Sequence, residues 1–132
     1  MNFLAIIIAA IVNVVIGSLW YSPVLFAKPW SKANGMKKED MEKGYKMGPS
    51  MYLITALISG FVLAWFIDAL HVISLTGGIQ IGFLAWLGFT TTAQVLNSWV
   101  FSGGKPKELY FINTTYHLVV FCVMGAILGA WR

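Results

Sequence analysis

The chain has 132 residues, 58% of them hydrophobic and 11% charged, with a mean hydropathy of +0.76. Soluble domains carry about 25% charged residues, so this composition cannot cover a water-exposed globule and lipid must solvate most of it. The net charge of +4 comes from lysines gathered beside an apolar run with no nucleic-acid module near them, which points to anionic lipid headgroups rather than nucleic acid.

The first apolar run, residues 3–21, is broken only by Asn13, Gly17 and Ser18. As a helix it spans roughly 28 Å, close to the hydrocarbon core of a bilayer. No basic residue precedes it, which reads as an uncleaved helix with its N-terminus outside rather than a signal peptide. Ala9, Asn13, Gly17 and Trp20 share one stripe, a helix-packing face with Asn13 as interhelical glue or, less simply, as a ligand contact. Trp20-Tyr21-Ser22-Pro23 then ends the helix at the headgroup layer.

Residues 22–49 form the one long polar interval, read as a cytoplasmic loop. Six lysines stand there against Glu39, Asp40 and Glu42, and a segment so basic resists translocation. Val24 to Trp30 has the pattern of a short interfacial segment, Asn34-Gly35 of a turn, and Met36 to Lys46 of a short amphipathic helix. Pro49 marks the approach to the second crossing, about residues 51–73. Ala56, Gly60 and Ala64 give that crossing a small-residue face. Asp68 and His71 lie toward its outer end, as an interfacial polar pair or as a cation or proton site.

Gly77-Gly78 closes an outer hairpin, and the third crossing covers about residues 79–101. Thr90, Gln94 and Asn97 fall within a narrow arc that should face protein or water, while Gly78, Gly82 and Ala85 offer close contact farther out. A basic turn at Gly103-Gly104-Lys105-Pro106-Lys107 leads to the fourth crossing, about residues 108–131. There Asn113 and His117 share a face, and Gly125 and Gly129 form a GxxxG contact motif.

The expected fold is therefore all-α: a single domain, residues 1–132, built as a four-transmembrane-helix bundle of the cytoplasmic (inner) membrane. Both basic connections lie inside, so the topology is N-out/C-out. Asn13 and Ser18, Thr55 and Ser59, Thr90, Gln94 and Asn97, and Asn113 and His117 then form a polar layer in the cytoplasmic half, with Asn13, Thr90, Gln94, Asn97, Asn113 and His117 as its candidate pocket. Either its members satisfy one another, or they line a hydrated pocket in which His117 can take a proton.

Known catalytic patterns are missing: no Gly-rich phosphate loop, HExxH or GxSxG is present. Cys122 is the single cysteine and the two histidines lie at opposite ends of the bundle, so no disulfide within the chain, metal site or cofactor is expected.

The run Asn13…Gly17-x-x-Trp20-Tyr21-Ser22-Pro23-x-Leu25-Phe26-x-x-x-Trp30 resembles the opening of the DUF1761 family of small bacterial membrane proteins. Trp86-Leu87-Gly88-Phe89 and Met124-Gly125-Ala126-Ile127-Leu128 are similar to later parts of that family's pattern. The resemblance implies a four-helix integral membrane protein with no assigned activity, and it adds no catalytic residue.

Two functional expectations follow. The first is a non-enzymatic membrane module that forms a homo-oligomer, because four short helices offer too little surface to bury every small-residue face internally. The second is a small transporter or channel whose solute, of unknown identity, contacts Asn13, Gln94, Asn97, Asn113 and His117. An intramembrane enzyme using Asp68 or His117 is the weakest reading, for want of a catalytic partner.

Overall fold

The computed structural model describes residues 1–101 and 106–131. Its helices are α1 (Phe3–Trp20), α2 (Ala27–Asn34), α3 (Lys38–Ala69), α4 (Leu75–Val100) and α5 (Pro106–Ala130), and no strand occurs among the described residues. All but α2 are long and apolar enough to cross a membrane. The turn expected at Gly103-Gly104-Lys105 and the terminal Arg132 lie outside the described residues.

α1 begins on Asn2, whose side chain accepts the Ala5 N–H at 3.1 Å and so satisfies one of the donors a helix start leaves open. The same side chain donates to the Trp131 carbonyl at 3.5 Å, joining the start of α1 to the end of α5. At the other end of the bundle, Trp20 Nε1 donates to the Ile112 carbonyl at 3.1 Å. The two helices therefore run antiparallel, with both chain ends on one side.

The interval expected as a loop is largely helical. After α2 closes on Gly35, whose φ of 65° suits glycine, one unbroken helix of 32 residues runs from Lys38 through Pro49 to Ala69. Glu39 and Asp40 in its first turn favour the start of a helix by meeting its positive dipole end. The proline denies the Tyr45 carbonyl its usual donor, a loss that costs about 3 kcal/mol in a helix interior. Tyr45 and Pro49 are both exposed, so water can solvate that carbonyl and the helix passes through. The expected amphipathic segment at Met36 to Lys46 is thus the first part of α3 rather than a separate element.

α3 ends at Ala69, short of the expected residue 73, because His71 takes a left-handed φ of 55°. The N–H groups of Leu70, His71 and Val72 fold back onto the carbonyls of Phe66, Asp68 and Ile67. α4 starts at Leu75, four residues before expected, with the Ser74 hydroxyl accepting the Gly77 N–H at 3.1 Å. Gly77 and Gly78 lie inside its opening turns and do not form the hairpin.

The glycines instead govern how α4 meets α5. A Cβ on Gly78 would collide with the Gly125 carbonyl, one on Gly82 with the Phe121 carbonyl, and one on Gly125 with the Gly78 carbonyl. A Cβ on Gly129 would lie 2.8 Å from the Gly78 Cα. Backbone touches backbone along this seam. On the other side of the bundle, Ala56, Gly60 and Ala64 are buried, and a Cβ on Gly60 would meet Met124 at 3.2 Å and Ile6 at 3.5 Å. Ala9 and Gly17 of α1 are buried as well. The small-residue faces are thus used within one chain, and the premise that they exceed its internal surface fails.

Candidate functional site

Tyr116 sits where α1, α3 and α5 converge and is 3% exposed. Its hydroxyl donates to Asn13 Oδ1 at 2.6 Å, while Asn13 Nδ2 donates to Met124 Sδ at 3.4 Å. Asn13 is itself buried, so the amide joins α1 to α5 as interhelical glue. Gly17 makes this possible, because a Cβ there would come within 2.9 Å of the Tyr116 hydroxyl oxygen.

A cage of rings surrounds this point. Trp20 lies 6.3 Å from Tyr116 and Tyr21 lies 5.3 Å away, both T-shaped or tilted. Tyr52 reaches in from α3 at 6.3 Å, and Trp30 of α2 packs on Tyr21 at 4.8 Å. Edge and tilted contacts of this kind suit the ring quadrupoles. Tyr21 also donates to Asn113 Oδ1 at 2.8 Å. It stands one residue beyond α1, and burial, aided by the neighbouring Tyr52 and Tyr116, pushes its phenol well above its ordinary range. The hydroxyl therefore stays protonated and donating.

Beside Tyr116 is a chamber of about 90 Å³. Its polar lining comes from Asn13, Tyr52, Thr55, Ser59, Tyr116 and His117, and Val120, Phe121 and Met124 close its apolar side. Every hydrogen-bonding group in that lining is neutral or, for His117, able to be so.

The sequence-predicted residues do not all reach this chamber. Asn13, Thr55, Ser59 and His117 line it. Asn113 and Gln94 stand behind His117: the His117 Nδ1 lies 2.8 Å from the Asn113 carbonyl and 3.3 Å from Gln94 Nε2. The shorter contact assigns the Nδ1 proton to the carbonyl, which leaves Nε2 as the acceptor of the neutral ring. Thr90 is half-buried, outside the chamber lining, and Asn97 is exposed.

The reason lies in α4. Two wide π turns, Trp86–Thr90 and Leu96–Val100, interrupt it, and a wide turn needs more residues to come round to the same face. Ser98, not Asn97, is therefore the buried residue below Gln94, donating to its Oε1 at 3.5 Å. The unsettled carbonyls collect side-chain donors. Thr91 reaches the Leu87 carbonyl at 2.6 Å, Thr92 the Gly88 carbonyl at 2.8 Å, and Tyr110 the Thr91 carbonyl at 3.2 Å.

Asp68 and His71 are at the far end of the bundle, in the last turn of α3 and just past it. The His71 N–H donates to the Asp68 carbonyl at 3.0 Å. Among the described residues, no three His, Cys, Asp or Glu side chains gather as they would around a metal ion.

Sequence reasoning missed Tyr52 and Tyr116. Tyr116 was within reach, since it follows Asn113 by three residues on the same helical side. Tyr52 carried no signal, because a tyrosine near a helix end reads equally well as an interfacial anchor.

The family described as "Protein of unknown function (DUF1761)" matches residues 4–129. No curated protein and no solved structure matches the chain. The match covers nearly the whole length. The chain belongs to the DUF1761 family.

Proposed function

We propose that this protein is a non-enzymatic, multi-pass protein of the cytoplasmic membrane that receives a small neutral or zwitterionic solute from the cytoplasm, as a small transporter or channel does. The observation that carries this reading is the chamber beside Tyr116, walled by uncharged donors and acceptors from three helices. Its volume of about 90 Å³ has room for about three water molecules or a solute of a few heavy atoms. Neutral groups select for hydrogen-bonding pattern, and they hold a bare cation poorly. The solute contacts in this reading are Asn13, Thr55, Ser59, Tyr116 and His117, with the Asn113 carbonyl orienting His117.

Both chain ends lie outside, and the lysines between Lys28 and Lys46 meet the anionic headgroups of the inner leaflet. Tyr52 and Thr55 border both the chamber and a second cleft on the basic side, which supports access from that direction.

Cysteine labelling tests the reading. In a Cys122→Ala background, Ser59→Cys should react with a membrane-impermeant thiol reagent added to the cytoplasmic face. Silence of position 59, with Lys43→Cys reactive from that face, would sink the chamber reading alone. Reaction of Lys43→Cys only from the periplasm would overturn the orientation.

A further inference from the structure

A second cleft, of about 340 Å³, lies between the α1–α3 connection and the first half of α3. Tyr21, Trp30 and Met36 form one wall, and Met41, Tyr45 and Tyr52 form the other. Tyr45 secures the junction by donating to the Tyr21 carbonyl at 3.2 Å. The floor is glycine. A Cβ on Gly44 would meet nothing within 4 Å, and one on Gly48 only the Tyr52 ring at 3.9 Å. Unlike Gly78 or Gly125, these two residues permit no backbone contact, and their missing side chains leave volume in the cleft.

The position of the cleft makes that volume informative. A helix of 32 residues is about 48 Å long, whereas the hydrocarbon core is about 30 Å thick. The crossing itself accounts for α3 from about Ser50 onward, so Met36, Met41 and Tyr45 stand in the headgroup and water layer. Acyl chains of the bilayer do not extend there, and an apolar wall facing water is unfavourable. The surroundings are basic. Six lysines between Lys28 and Lys46 outnumber Glu39, Asp40 and Glu42, and the Asp40 carboxylate accepts the Lys37 N–H at 3.2 Å. Met36 lines the cleft, and Lys37 and Lys38 follow it directly in the chain.

We propose that this cleft binds a single-chain anionic amphiphile, a long-chain carboxylate, with its head by Lys37 and Lys38 and its chain along Met41 to Tyr52. The volume is at the lower end of the range for small-ligand sites, which suits one chain and not the two of a phospholipid. The net positive charge selects the carboxylate over a neutral alcohol of equal length. This site is separate from the chamber, and its test does not depend on the chamber holding a solute.

The experiment uses the full chain in phosphatidylcholine nanodiscs with a diazirine-bearing palmitic acid, and peptide mass spectrometry maps the adducts. Adducts should concentrate between Met36 and Tyr52. Gly44→Phe and Gly48→Phe, which add bulk to the open floor, should each reduce them about tenfold by excluding the chain. Lys37→Gln combined with Lys38→Gln should weaken labelling by the acid while leaving labelling by the matching alcohol unchanged. Adducts spread evenly over outward residues such as Phe61 and Leu84 would overturn the site, as would full labelling of both glycine variants. Equal labelling by the alcohol would overturn the anionic head, and equal labelling by a diazirine-bearing phosphatidylglycerol would overturn the single chain.

Discussion

Gly125→Ala separates two uses of the small-residue seam. A Cβ at that position collides with the Gly78 carbonyl, and the obstacle is backbone, which no rotamer change can move aside. Overpacking in cores costs about 1–3 kcal/mol even where side chains can shift, so the upper end of that range applies. Alanine gives back up to ~1 kcal/mol of helix propensity, leaving a net loss of about 2 kcal/mol. Gly44→Ala is the control, because its Cβ meets nothing within 4 Å and only the propensity gain remains. Reversible unfolding in mixed detergent micelles should place Gly125→Ala below the parent protein and Gly44→Ala at or slightly above it. If Gly125→Ala were as stable as the parent while crosslinked dimer disappeared from native membranes, the seam would belong to an interface between copies, and the fold described above would be wrong there.

Further outcomes can be stated briefly. Asn13→Leu and Tyr116→Phe, combined in a double-mutant cycle, should show a coupling of about 0.6–1.7 kcal/mol, the range for hydrogen bonds between membrane helices; additive effects would deny the 2.6 Å bond. Trp86→Phe removes the indole donor that reaches the Thr114 carbonyl at 2.7 Å and should lower stability by about 1 kcal/mol in the same assay. Pro49→Ala restores a donor for the Tyr45 carbonyl, so amide exchange from Tyr45 to Tyr52 should slow; unchanged exchange would mean that α3 is not continuous there.

Much of the architecture was legible because bilayer thickness imposes a length on apolar runs. Each of the four long helices of the structure contains most of one of the four runs, and the first begins where the sequence places it. The boundaries fared worse at residues whose local meaning depends on the surroundings. Pro49 and Gly77-Gly78 look like breaks to any reading based on propensity. In the fold, the proline lies at an exposed position that tolerates it, and the glycines lie against another backbone that requires them. Asn97 failed for a different reason. Azimuths along α4 assume 3.6 residues per turn, and nothing in Leu96 to Val100 announces a wide turn. The three consecutive threonines at 90–92 were the available hint, since their hydroxyls can supply donors to carbonyls that such turns displace.

Tyr116 explains the spacing of the residues between Asn13 and Trp30. Asn13 and Gly17 are four residues apart, so they fall on one side of α1. The first supplies the acceptor for the phenol and the second the space in which the ring lies. Trp20 and Tyr21 then meet that ring from the helix end, and each donates onward to α5, at the Ile112 carbonyl and at Asn113. Trp30 cannot reach Tyr116 directly; it packs on Tyr21, which requires the chain to turn at Ser22-Pro23 and return as α2. Residues separated by seventeen positions thus serve one phenol. Of its partners, Asn13 lines the chamber, and Tyr52 borders both the chamber and the basic-side cleft. A change at Tyr116 should therefore disturb both cavities, whereas a change at Gly44 should disturb only the outer one.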